Sequence, residues 1–149
     1  MGHVAHFETT SKYLDEAFSG IALEVLAGPI VAYEEVANQL GCGGCHWGVV
    51  VRDLRTGRIL RREPTGTPLS LDLNYGVGPT TAIVVKSDGS VAWIANVSLE
   101  GGGYQVHAAD TAGSRLVASG PDINPSSLAL AGSTLYWTQG GKPFSASLE

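Results

Sequence analysis

Cys42, Cys45 and His46 are the residues whose types and spacing come nearest to a recognised chemistry. Cys42-x-x-Cys45-His46 has the form of a c-type haem attachment sequence, in which two thioethers fix the porphyrin and the histidine binds iron. The same three side chains are weak candidates for zinc. A structural zinc site needs four ligands, and no second close pair stands nearby. The residues after the motif argue against both. Val49-Val50-Val51 reads as a strand, whereas haem-attaching stretches usually continue as a helix, and a thioredoxin-like pair opens a helix within a βαβ pattern. The only methionine is Met1, so the usual sixth iron ligand is lacking, leaving His3, His6 or His107 to serve. The preferred reading is a loop disulfide or two quiet thiols at Cys42 and Cys45, with no metal and no cofactor.

The other candidates are scattered. The four histidines are not spaced as ligands on one helical face; His3 and His6 read as solvated, and His107 as a strand residue facing the rim. Glu34-Glu35 has the side chains for paired-carboxylate hydrolysis. Neighbours along a strand point to opposite faces, so one site cannot use both without a bulge. No G-x-S-x-G, Walker or H-E-x-x-H sequence is present. Gly101-Gly102-Gly103 opens no helix and reads as a hairpin tip rather than a phosphate cradle. Trp93, Tyr104 and Trp137 are of the type for a sugar-stacking surface, though packing inside the fold is the preferred reading. No catalytic constellation emerges.

The frame that positions these residues is set by the stretch 47–60, W-G-V-V-V-R-D-L-R-T-G-R-I-L. Its valines suit a pleated strand. The Asp53 carboxylate can accept hydrogen bonds from N–H groups two or three residues on, and Gly57 can take positive φ, so the stretch is a hairpin. Shifted by 57 positions without a gap, it lies over Tyr104-Gln105-Val106-His107-Ala108-Ala109-Asp110 and the subsequent Thr111 to Val117. The aspartate (Asp53, Asp110) and the arginine five residues later match, and the glycine moves one place, from Gly57 to Gly113. A second set of matches joins Ala27-Gly28-Pro29-Ile30-Val31-Ala32-Tyr33 to Ala131-Gly132-Ser133-Thr134-Leu135-Tyr136-Trp137. The phrase around Asp88-Gly89, with Trp93 after it, lies between them. Asp88-Gly89 between Ile83-Val84-Val85 and Val91-Ala92-Trp93 is the strongest hairpin signal in the chain. Two successive hairpins repeated at such spacing are the unit of a β-propeller blade.

These phrases resemble the blades of WD-repeat and quinoprotein-type propellers. V-V-V-R-D-L-R-T-G-R-I-L and G-S-T-L-Y-W-T resemble secreted bacterial propellers of unassigned activity. The resemblance implies an all-β chain of antiparallel propeller-type repeats, about two and a half blades, with a β-sandwich as the alternative. An N-terminal segment, 1–19, precedes a repeat domain, 20–149. Blade one is expected over 20–63, blade two over 80–120, and only the first hairpin of blade three over 124–149. It also implies an extracytoplasmic location, where the cysteines would be oxidised, although no signal peptide is visible. Residues 11–18 are expected to form a short helix ended by Gly20, or a strand. Leu148-Glu149 are given no structural weight.

Hydrophobic residues make up 44% and charged residues 15% of the 149, enough for one core. The net charge of −5 and the absence of a basic stripe are read against nucleic-acid binding, and no run of eighteen apolar residues spans a bilayer. A closed ring needs at least four blades. The chain is therefore expected to form a homo-oligomer, to be a fragment of a longer propeller, or to complete its last blade with residues 1–19. The functional expectation is a non-enzymatic repeat module binding a protein or small ligand; the alternative is a redox or c-type haem protein using the cysteine motif.

Overall fold

The computed structural model describes residues 18–38, 45–65, 79–97 and 103–149. Its regular elements there are all strands, and among these residues no helix is long and apolar enough to cross a membrane. β1 (Phe18–Ala27), β2 (Ile30–Asn38), β3 (Cys45–Asp53) and β4 (Ile59–Pro64) form the first sheet. β5 (Thr80–Val85), β6 (Val91–Asn96), β7 (Tyr104–Asp110) and β8 (Gly113–Gly120) form the second. β9 (Ala129–Ala131), β10 (Thr134–Gln139) and β11 (Lys142–Ser147) form the third. Each sheet is an antiparallel meander in chain order.

Strand alternation decides which sheet meets which. Ile30 and Ala32 of β2 and Val49 and Val51 of β3 point one way. They pack against Val91, Trp93 and Ala109 of the second sheet, with Ile83 and Val85. The opposite face of the second sheet, Ala92, Ile94, Val106 and Ala108, packs against Ile123, Leu135, Trp137 and Leu148. Val31, Tyr33 and Val50 form a separate buried cluster on the far face of the first sheet. The three sheets are therefore stacked in series, as propeller blades are, rather than as a two-sheet sandwich. Tyr33, Trp93 and Trp137 hold the same place on the second strand of each sheet. In the two junctions between the sheets, that aromatic faces the preceding sheet.

Four expectations are corrected. The backbone is already extended at Phe18, and Gly20 lies inside β1 rather than ending a helix; residues 1–17 are outside the described residues. The last stretch holds three strands, not one hairpin, because β11 follows the expected β9–β10 hairpin and pairs with β10. The gapless match between the two hairpins holds only up to the turn. Arg52 pairs with Ile59 across the first, whereas Asp110 pairs with Gly113 across the second, so the first turn is longer. Finally, Leu148 is fully buried, and its N–H donates to Ser133 O at 2.9 Å. The chain's last two residues are part of the fold.

Candidate functional site

The polar side chains held inside the molecule gather at the junctions between sheets. At the first junction Trp93 is fully buried and its Nε1 donates to Thr65 O at 2.6 Å, across from the second sheet to the end of β4. Its ring stacks on His107, its cross-strand partner, with centroids 5.3 Å apart and planes 7° from parallel. The pair lies in β6 and β7 on the face turned to the first sheet, so His107 is buried rather than at the rim. His107 Nε2 lies 2.9 Å from Gln105 Oε1. Burial without a carboxylate partner pushes the His107 pKa down from 6.5 to about 4, so the ring is neutral at physiological pH. A stacked pair recurs at the second junction as Trp137 and Phe144, centroids 5.9 Å apart.

Glu34 is the second buried ionisable group. It follows Ile30 and Ala32 on the face of β2 turned to the second sheet, and its carboxylate accepts the Thr80 N–H at the start of β5. Burial pushes its pKa up, against the opposing pull of that bond. Glu35 points the other way and pairs with Arg62. The two carboxylates do not share a site.

The aspartate turns are built alike and anchored differently. Asp53 Oδ1 accepts the Arg55 N–H and Asp110 Oδ1 the Ala112 N–H, each at 2.9 Å, and Gly57 and Gly113 take φ of 72° and 105°. A side chain at either glycine would be strained in that region. Arg115 grips Asp110 with two bonds, of 2.8 and 2.9 Å, and its Nη2 also reaches Ser147 O at 2.8 Å. Asp110 Oδ2 accepts the Glu149 N–H as well, at 2.9 Å. With the Arg115 guanidinium foremost, these donors hold the Asp110 carboxyl at about 2. Asp53 is lowered too, chiefly by its bond to Arg55, its ion-pair partner. Asp88 Oδ1 accepts the Ser90 N–H at 2.8 Å; Gly89 packs its backbone against Leu60 and gives its carbonyl to Arg61 at 3.1 Å.

Of the remaining candidates, Cys45 and His46 lie at the start of β3, paired in the ladder with Asn38 and Ala37, so the backbone there is a strand. Cys42 lies outside the described residues. Among those residues no three His, Cys, Asp or Glu side chains come together as a metal site. Trp93 faces the first junction, while Trp137 and Tyr104 pack at the second, so the three aromatics do not share one surface. Sequence reasoning missed Glu34 as a junction group, the Asp110–Arg115–Glu149 clamp and Lys86. Lys86 Nζ reaches Ser133 Oγ at 3.2 Å and Leu148 O at 3.0 Å. The matching arginine after each aspartate was the visible signal for the clamp, but it could not show which arginine closes which turn.

The buried histidine predicts an acid limb in stability. Because the folded pKa lies below the unfolded one, nothing is lost above pH 6.5. As pH falls from there toward 4 the unfolded state takes up the proton first, costing about 2 kcal/mol by about pH 5. His107→Phe, which places here the partner Trp137 already has, is expected to flatten that limb in thermal melts across the range. A limb unchanged in the variant would assign it elsewhere.

No protein-family model and no curated protein matches the chain. Among solved structures it is similar to the β-propeller domain of the trilobed protease from Pyrococcus furiosus, which is described as having an open velcro topology. The TM-score is 0.59 at 17% identity, over 82% of this chain and 34% of that one. The chain thus spans about a third of that structure's length, and the likeness speaks to fold alone. Together with the stacked antiparallel sheets, it makes this chain an all-β partial propeller.

Proposed function

We propose that the chain is a non-enzymatic propeller-type repeat module, a scaffold for binding a protein or small ligand. The observation that carries this reading is how its reactive side chains are used. Asp110 and Glu34, two groups whose protonation the fold shifts, each hold one part of the sheet stack to another, and His107 is stacked under Trp93 within the first junction. Such groups set geometry and leave recognition to the outer surface. We further propose that the module works as a homo-oligomer or as part of a longer ring. The third sheet supports this. Among the described strands β11 pairs with β10 alone, while β3 and β7, its counterparts, each have a fourth strand beside them. Tyr136 and Phe144 of this sheet are exposed. The resemblance to secreted propellers supports an extracytoplasmic setting.

Sedimentation of the purified chain, followed by absorbance from the ultraviolet through the visible and by elemental analysis for metal, tests the reading. The expected result is a colourless species at a multiple of the chain mass, without stoichiometric zinc. A Soret band, or about one metal per chain, would make Cys42, Cys45 and His46 the centre of function. A stable, colourless monomer would keep the module and remove self-assembly.

A further inference from the structure

The first sheet carries at its outer edge a group of arginines most of which have no counterpart in the second sheet. Five of the chain's nine lysines and arginines fall between Arg52 and Arg62, with Asp53 the one acid among them, in a chain of net charge −5. The second sheet serves as an internal control. Strand pairing puts Ala109 where the first sheet has Arg52, Leu116 where it has Arg62, and Arg115 where it has Arg61. Arg61 and Arg115 do the same work, each reaching a backbone oxygen of the next sheet, Gly89 O and Ser147 O. Arg55 and Arg58 belong to the longer turn, which the second sheet lacks. Arg52, Arg55, Arg58 and Arg62 therefore have no counterpart at the same places of the second blade, although Arg55 closes the Asp53 turn and Arg52 Nη1 reaches Gly57 O at 3.5 Å.

Their surroundings define the partner. Leu54 and Ile59 stand among them, exposed at 56% and 41%. The Arg55 and Arg62 side chains are themselves mostly exposed, Arg55 against the shielded Asp53 and Arg62 in an exposed ion pair with Glu35 that is readily exchanged. Arg52 Nε is buried with no hydrogen-bond partner among the described residues. Arg52 and Arg62 share the strand face of Val50, turned away from the second sheet. A cationic edge interleaved with apolar side chains complements an acidic protein segment bearing apolar side chains of its own. A nucleic acid fits less well, since no aromatic ring lies in the group for a base to stack on and the rest of the chain is acidic. We infer that Arg52, Arg55, Arg58 and Arg62, with Leu54 and Ile59, form the docking surface for an acidic, apolar-bearing protein segment. This rests on the reading of the chain as a binding module.

Fluorescence anisotropy of a labelled peptide alternating glutamate and leucine, titrated with the whole chain, is the test. The peptide is expected to bind, and to bind on the order of tenfold more weakly at high salt. Glutamine–leucine and lysine–leucine peptides should bind far less. Combining Arg52→Ala, Arg55→Ala, Arg58→Ala and Arg62→Leu should weaken binding by about tenfold or more while the far-ultraviolet dichroism is kept. If that variant does not fold, the salt and peptide-charge series on the unaltered chain still decides. Salt-insensitive binding, equal binding of the glutamine–leucine peptide, or unchanged binding by the folded variant overturns the inference. So does a thymidine oligonucleotide that binds as tightly as the peptide. Loss of self-association in the variant would make a second copy the occupant and overturn it too. A folded, colourless chain that ignores the peptide removes this inference alone, whereas a Soret band removes the module reading beneath it.

Discussion

Trp93→Ala is expected to destabilise the protein by about 4 kcal/mol, at the upper end of what a single substitution does. Three losses coincide at this side chain. It is fully buried in the first junction, so truncation leaves a cavity between two sheets that each gain much of their burial from the other. Its Nε1 bond to Thr65 O disappears, leaving that carbonyl without this donor at a buried position. The His107 ring loses its stacking partner. Trp93→Phe separates these terms, because it keeps most of the apolar volume and loses the hydrogen bond; it should cost about 2 kcal/mol. Denaturant unfolding of both variants checks the order. A cost below about 1 kcal/mol for the alanine variant would mean that the first and second sheets do not depend on this contact.

The second large effect is at Asp110. Asp110→Ala should cost about 3 kcal/mol near neutral pH, because it releases Arg115, the Ala112 N–H and the Glu149 N–H together. The sign of its pH dependence comes from the depressed carboxyl. Its ordinary value is 3.8 and the folded state holds it at about 2, so the stabilisation is fully present above about pH 4 and is lost as pH falls toward 2. That difference is worth about 2 kcal/mol. Melting curves of the two proteins should therefore converge in acid, and a gap that stays constant down to pH 2 would show that the charge is not what the clamp uses. Asp53→Ala should cost less, since Arg55 is mostly exposed and the Asp53 carboxylate is bonded within its own turn.

Hairpins and their strand alternation were legible in the sequence for a physical reason. Val49, Val50 and Val51 with Asp53 and Gly57 settle strand and turn within a few residues of each other, and Asp88-Gly89 does the same. What depends on distant partners was not legible. Arg58 and Arg115 are equivalent in sequence, yet Arg115 closes on Asp110 while Arg55 closes on Asp53, because the first turn is longer and changes which side chain comes near. β11 escaped notice since Lys142 to Ser147 holds a proline and no β-branched residue, and is extended by pairing with β10. His107 looked like a rim residue because its burial comes from the neighbouring sheet, which no local pattern records. Leu148 and Glu149 fail the same test, since their partners Ser133, Ser90 and Asp110 lie far back along the chain.

The meander within each sheet also sets an order of events during translation. Every ladder among the described residues joins strands that are consecutive in sequence, so on the ribosome the first sheet can finish its hydrogen bonding as soon as β4 emerges. Its apolar face, Ile30, Ala32, Val49 and Val51, must then wait for Trp93 to be synthesised. A nascent chain halted in that interval displays an adhesive sheet, a natural target for holdase chaperones. One halted after β8 has buried that face and displays instead Ala92, Ile94, Val106 and Ala108, until Leu135 and Trp137 leave the exit tunnel. Ribosome profiling of chaperone-bound nascent chains should thus show two successive windows of engagement, the first ending once β6 is clear of the tunnel.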